Sequence, residues 1–117
     1  AWARERETFG RPLIKRQVIR HKIVELSARI GAVEAYMLRI AHAMQHGAQP
    51  IAELAKAKFY STKALEWVAS EAMQIFGGAG YLRGNLVERA YREVKVVAIG
   101  GGSEEIMRDL AATQMGL

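Results

Sequence analysis

The chain has 117 residues, half of them hydrophobic and a quarter charged, with a net charge of +5. Such a composition gives one globular domain with enough apolar side chains for a continuous core and excludes a disordered chain. The absence of cysteine excludes disulfides, thiolate catalysis and cysteine-ligated metal, and no apolar run approaches the roughly 18 residues that span a bilayer.

Residues 1–8 begin Ala1-Trp2-Ala3-Arg4, with no initiator methionine and no targeting pattern. They are predicted to be the last turns of a helix that starts further upstream, so the chain is expected to be a piece of a longer protein. Phe9-Gly10-Arg11-Pro12 stops that helix and leaves Arg6 on its final turn, at the lip of a loop. A cation there is also the ordinary partner of a helix C-terminus.

A long helix is predicted from about Ile14 to His46. Ile19, Ile23, Leu26, Ile30, Val33, Met37, Ile40 and Met44 alternate in steps of four and three, a heptad seam that packs at a shallow crossing angle. At 1.5 Å per residue the helix is about 45 Å long. Gln17 lies in its first turns, close to the Phe9-Gly10 loop. His42 and His46 stand at a spacing that can hold a metal, but no further ligand accompanies them, so a surface pair is expected and no metal.

Gly47-Ala48-Gln49 closes this helix, and Pro50 is placed to open the next. An apolar stripe from Ile51 to Phe76 defines the second long helix, with Lys56, Lys58 and Lys63 predicted on the opposite face and Gln74 in the last turn. Gly77-Gly78-Ala79-Gly80 breaks the pattern. Asn85 and Glu88 form a capping-box-like pair ahead of a short helix to about Val94, and Val96–Ile99 is a predicted connection. Gly100-Gly101-Gly102 precedes Ser103, the N-cap of a terminal helix to about Ala112 with Glu104 and Glu105 in its first turn. The predicted fold is all-α, an up-and-down four-helix bundle.

Local chemistry assigns no activity. The first glycine cluster follows a helix rather than a strand, so it is neither a dinucleotide fingerprint nor a phosphate loop. Glu104 and Glu105 are adjacent and point to different sides of a helix, unlike a glycosidase pair. The glycine clusters alone fit helix caps as well as ligand contacts.

Taken together, Arg6-x-x-Phe9-Gly10, Gln17, Gln74-x-x-Gly77-Gly78-x-Gly80-Tyr81, Glu88-Arg89-x-Tyr91-Arg92 and Gly100-Gly101-Gly102-Ser103-Glu104-Glu105-Ile106 resemble the C-terminal domain of the acyl-CoA dehydrogenase family, over essentially all of residues 1–117. The resemblance implies the helical C-terminal domain of an FAD-dependent oxidoreductase of fatty acid metabolism. Its N-terminal helical and middle β domains are not among these residues. It implies oxidation of an acyl-CoA to the 2-enoyl-CoA, electron transfer to an electron-transferring flavoprotein, and a homodimer or homotetramer in the bacterial cytoplasm or mitochondrial matrix.

Residue by residue, Arg6 resembles an arginine that reaches the FAD pyrophosphate of a neighbouring subunit, a task suited to a permanently charged, two-pronged guanidinium. Phe9 and Gln17 match positions near the adenosine end. Gln74 and the backbone at Gly78 match further contacts across the subunit boundary. Ser103 and Glu105 match FAD-binding positions at the start of the last helix, with Glu105 expected to accept from a hydroxyl or amine rather than face a phosphate. Glu88 and Arg92 are expected to be structural. Gly101 occupies the position where many members carry the catalytic glutamate, and a glycine takes no proton. The chain therefore resembles the isovaleryl- and long-chain-type branches, whose glutamate comes from the preceding helix, upstream of Arg6, or else non-dehydrogenating relatives. Glu104 as a shifted base competes with a simpler role at the helix dipole. The alternative function is a non-catalytic bundle with a scaffold or nucleic-acid role, which the +5 charge permits but its dispersal and the lack of an aromatic–basic surface do not favour.

Overall fold

The computed structural model describes residues 1–117. A one-turn helix α1 (Trp2–Glu5) leads into a two-stranded antiparallel hairpin, β1 (Glu7–Thr8) and β2 (Arg11–Pro12). A 3-10 turn at Leu13–Lys15 then precedes the long helix α2 (Gln17–Gln45). Helix α3 (Ile51–Phe76) returns antiparallel to it and is followed by the single turn α4 (Gly78–Tyr81), by α5 (Leu86–Ile99) and by α6 (Glu104–Met115). No helix is long and apolar enough to cross a membrane.

Helix α3 is the common support, with α2 on one side and α5 and α6 packed along the rest of its surface. Ala55, Thr62 and Ala69, spaced seven apart, form a buried line of small side chains on α3 that lets neighbouring backbones approach closely. The α2–α3 seam is tied by rungs whose numbers rise on one helix as they fall on the other. Lys22 pairs with Glu71, the Arg29 guanidinium lies 3.9 Å from the Trp67 ring centre, and the Tyr36 and Tyr60 rings meet edge-on at 6.4 Å. Only part of the predicted heptad seam is covered. Ile40 is buried, but Ile30, Met37 and Met44 are about half exposed and line two apolar grooves, of about 330 and 350 Å³, that meet at Ser61.

Several boundaries differ from the sequence expectation. Helix α1 ends at Glu5, so Arg6 is its extended C-cap residue, and Glu7–Thr8 is strand rather than helix. Pro50 is the cap of α3 and not its first residue. The predicted connection Val96–Ile99 is the last turn of α5, because burial of Val94 and Ala98 overrides the weak helix propensity of a valine-rich run. The capping box is half made. Asn85 accepts from the Val87 amide at 2.9 Å, whereas Glu88 bonds Arg92 at 3.0 Å. Helix α6 continues to Met115, where Gly116 closes it in the left-handed conformation.

The molecule measures 57 × 26 × 23 Å, and its radius of gyration of 17.6 Å exceeds the roughly 13 Å of a compact chain this size. Its accessible surface of 8137 Å² likewise exceeds the roughly 6,300 Å² typical of 13.0 kDa. An elongated chain with half-covered methionine and isoleucine side chains has apolar surface left to bury. Sedimentation velocity of the 117-residue chain is therefore expected to show concentration-dependent self-association; a strictly monomeric profile at high concentration contradicts this.

Lys56, Tyr36 and Arg39 converge on Glu53 and hold its carboxyl down at about 2, against 4.5 ordinarily. A lowered native pKa adds stability that is complete above the ordinary value and lost as pH falls through the native one. Glu53→Gln is expected to flatten the acid limb of the stability curve between pH 4.5 and about 2. The effect is small because the cluster is partly solvated. An acid limb unchanged by the substitution contradicts it.

Candidate functional site

The residues singled out from the sequence fall into two groups at different places along α3. The first lies where α1, the hairpin, the start of α2 and the end of α3 meet. Trp2 stacks on Phe76 with ring centres 4.9 Å apart, joining α1 to the last turn of α3. The Leu13 amide donates to the Arg6 carbonyl at 2.8 Å, and the Arg16 guanidinium donates to the Thr8 carbonyl at 2.6 Å, so the hairpin is clamped from below.

Phe9 and Gly10 are the two central residues of this hairpin's turn, both at positive φ, +49° and +76°. That is the signature of a type I′ turn, which favours Asn-Gly and disfavours a bulky residue at its first central position. Phe9 nevertheless occupies it with 97% of its surface exposed and the Arg16 guanidinium 5.5 Å from its ring centre. A strained, exposed aromatic has no folding rationale, and strain of this kind concentrates at ligand contacts.

The Arg6 and Gln74 side chains are exposed and bond nothing within the chain. The Gln17 amide lies 3.4 Å from the His21 ring. Gly77 adopts φ +62°, ψ −147°, a conformation open essentially to glycine alone, and throws the next amides off the end of α3. A Cβ at Gly78 meets nothing within 4 Å, so the backbone there is approachable from outside.

Charge pairing sharpens this end of the molecule. Residues 1–20 carry six cations, Arg4, Arg6, Arg11, Lys15, Arg16 and Arg20, against two carboxylates. None of the six is paired with a carboxylate, whereas nine of the remaining eleven cations are. The dispersed charge seen in the sequence is thus largely neutralised elsewhere and left free around the hairpin.

The second group sits at the junction of α5 and α6. Ser103 caps α6, its hydroxyl 3.5 Å from the Ile106 amide. Glu105's own amide and the Ser103 hydroxyl hold its carboxylate below the usual range. Gly101 and Gly102 lie at φ +68° and +105°. Glu104 does more than sit at the helix dipole. It is buried, bonded by Lys63 at 2.7 Å and Arg108 at 3.0 Å, and so is committed to an ion-pair network rather than free as a base. Lys58 and Lys63, expected on the solvent face of α3, turn towards this junction instead. Sequence reasoning missed both; their only signal was a position on a helix whose neighbours were not yet placed. The two groups are separated by 11 to 16 residues of α3, about 16–24 Å. His42 and His46 meet at the far end of α2 with ring centres 4.3 Å apart and planes tilted by 46°, and no group of three or more potential ligands could hold a metal.

The profile of the acyl-CoA dehydrogenase C-terminal domain matches residues 1–116. The chain belongs to the acyl-CoA dehydrogenase family. A probable acyl-CoA dehydrogenase from Mycobacterium abscessus superposes with a TM-score of 0.93 at 43% identity, over 98% of this chain and 31% of that one. Butyryl-CoA dehydrogenase from Megasphaera elsdenii superposes equally well, TM-score 0.93, at 29% identity over 99% of this chain and 30% of its own. The CarC subunit of the caffeyl-CoA reductase-Etf complex of Acetobacterium woodii is 29% identical over 107 residues, 92% of this chain and 28% of that protein. The chain spans less than a third of the length of these family members.

Phe9→Asn, which suits the type I′ turn, is expected to stabilise the domain by about 1 kcal/mol if the phenyl ring serves no folding purpose. The thermal midpoint measures this, and a fall in the midpoint would show that Phe9 is structural.

Proposed function

We propose that this domain supplies one wall of the flavin site, and the contacts between copies, in an FAD-dependent acyl-CoA dehydrogenase that oxidises an acyl-CoA to its 2-enoyl-CoA. The remaining two-thirds of the protein would be an N-terminal helical domain and a middle β domain. The observation that carries this reading is the set of unpaired cations around an exposed, strained Phe9-Gly10 turn, a surface built to receive a phosphate-bearing, ring-bearing ligand.

The donor set fits FAD. The Arg6 guanidinium would bond two pyrophosphate oxygens, Phe9 and Gln17 would flank the adenosine, and Gln74 and the Gly78 amide would complete that end. Ser103, Glu105 and the N-terminus of α6 would contact the flavin bound to the other group. The elongated shape and the unburied apolar surface support a dimer or tetramer, in which the site would be assembled from two copies. When bound, FAD accepts the hydride leaving the substrate's β-carbon. Removal of the α-proton falls to a carboxylate other than Glu104, which Lys63 and Arg108 occupy. Gly101 has no side chain to contribute, so the base would come from outside these residues, as in the isovaleryl- and long-chain-type branches. An electron-transferring flavoprotein is the electron partner we propose, by analogy with the Etf complex to which CarC belongs. The bacterial relatives favour a bacterial cytoplasmic protein.

Anaerobic titration of the whole protein with acyl-CoAs of graded length and branching tests this directly. One class is expected to bleach the flavin absorbance. Bound flavin that no acyl-CoA bleaches would mean that Gly101 marks a lost activity. In the same protein Arg6→Ala is expected to weaken FAD retention by about tenfold or more, the scale of a lost charge-assisted pair, and undiminished retention would remove Arg6 from the site.

A further inference from the structure

The three glycines at 100–102 are the least constrained backbone in the chain, yet they end at Ser103, whose position decides where α6 points. Two of them lie at positive φ, a conformation that L side chains rarely adopt, and the flexible end of the Met107 side chain rests against Gly102. Something must hold it there. The Lys58 ammonium, from the middle of α3, donates to the Ala98 carbonyl at 3.2 Å and to the Gly102 carbonyl. Ala98 lies in the last turn of α5, where carbonyls lack helical partners and the dipole favours a cation. Gly102 is the peptide immediately before Ser103. One ammonium therefore bridges the end of α5 to the entry of α6, across all three glycines.

The side chain is partly buried, and its stem lines the apolar groove with Met37, Ile40 and Ala57. It has no carboxylate partner, unlike Lys63 one turn further on, which pairs with Glu104 at 2.7 Å. The charge of Lys58 is thus spent wholly on main-chain oxygens, and a neutral side chain of equal length would leave both without a donor.

We propose that Lys58 is a positioning residue that fixes the Gly100–Ser103 loop and so presents Ser103 and Glu105 to the flavin. The anchoring stands on geometry; its consequence for the flavin rests on the function proposed above. The test compares Lys58→Met, which keeps length and removes the donors, with Lys58→Arg, which restores a cation, in the whole protein. Hydrogen exchange of amides 100–106 is followed with and without FAD, alongside the FAD dissociation constant and the thermal midpoint. The methionine variant is expected to exchange at 100–106 about tenfold faster, with α3 amides unchanged, and to bind FAD about tenfold more weakly, the arginine variant recovering most of both. Unchanged exchange at 100–106 overturns the anchor. A loosened loop with unchanged FAD affinity, or loosening spread evenly over the molecule, overturns the positioning role. A wild-type protein that binds no FAD refutes the flavin reading, while exchange still decides the anchor. If the methionine variant does not fold, nitrogen-15 NMR of the wild-type lysine ammonium decides: slow proton exchange supports the two carbonyl bonds, and a freely exchanging ammonium overturns them.

Discussion

The packing of three helices around α3, which carries a buried line of small residues, is the constraint on which the rest of the chain depends. Ala55, Thr62 and Ala69 take up so little room that α3 serves as a shared spine, and α2, α5 and α6 are placed by it far more than by each other. Larger side chains on that line would push the neighbours outward and open the α5–α6 junction, where Lys58 and Lys63 reach across. Because Lys58 and Gln74 stand on one continuous helix, whatever is fixed at each is held at a set separation.

Electrostatics follows the same division. Along α3 and its partners the charges cancel in local pairs, Glu66 being held down by Lys95 and Lys63, and Glu104 lying between Lys63 and Arg108. Around the hairpin they do not cancel. The field left over is concentrated where an exposed phenyl ring and a glycine-only turn also stand, and screening in water limits its reach to about 8 Å at physiological salt. Such a surface suits the anionic ligand we propose, at contact range, and offers little to a long polyanion, which would need a continuous basic track.

The long helices were legible because periodicity over many turns is a strong signal, and the Ser103 N-cap follows local chemistry, whereas the last helix was placed to end at Ala112, short of Met115. The hairpin was not, since two-residue strands carry no alternation to detect and Gly10 and Pro12 look alike as helix stop or turn. The overrun of α5 through Val97 and Ile99 was hidden because propensity pointed one way and burial the other. For the candidate site, Arg6, Phe9, Gln17, Gln74, Gly78, Ser103 and Glu105 were singled out as cofactor contacts only as a set, by resemblance; none carries a signal for that role of its own. The strain at Phe9, the burial of Glu104 and the reach of Lys58 depend on partners 40 or more residues away or on backbone angles, and a linear sequence displays neither.

The claim most exposed to refutation is that the hairpin end of one copy and the α5–α6 junction of another complete a single flavin site. Differently tagged Arg6→Ala and Ser103→Ala copies, co-expressed as mixed dimers and isolated by both tags, test it by their bound FAD. If the site is shared, each mixed dimer has one site with both residues intact, and FAD is expected at about half the wild-type content, above either parent variant. Mixed dimers that hold no more FAD than the parents would place both groups on one site within a single copy and contradict the account.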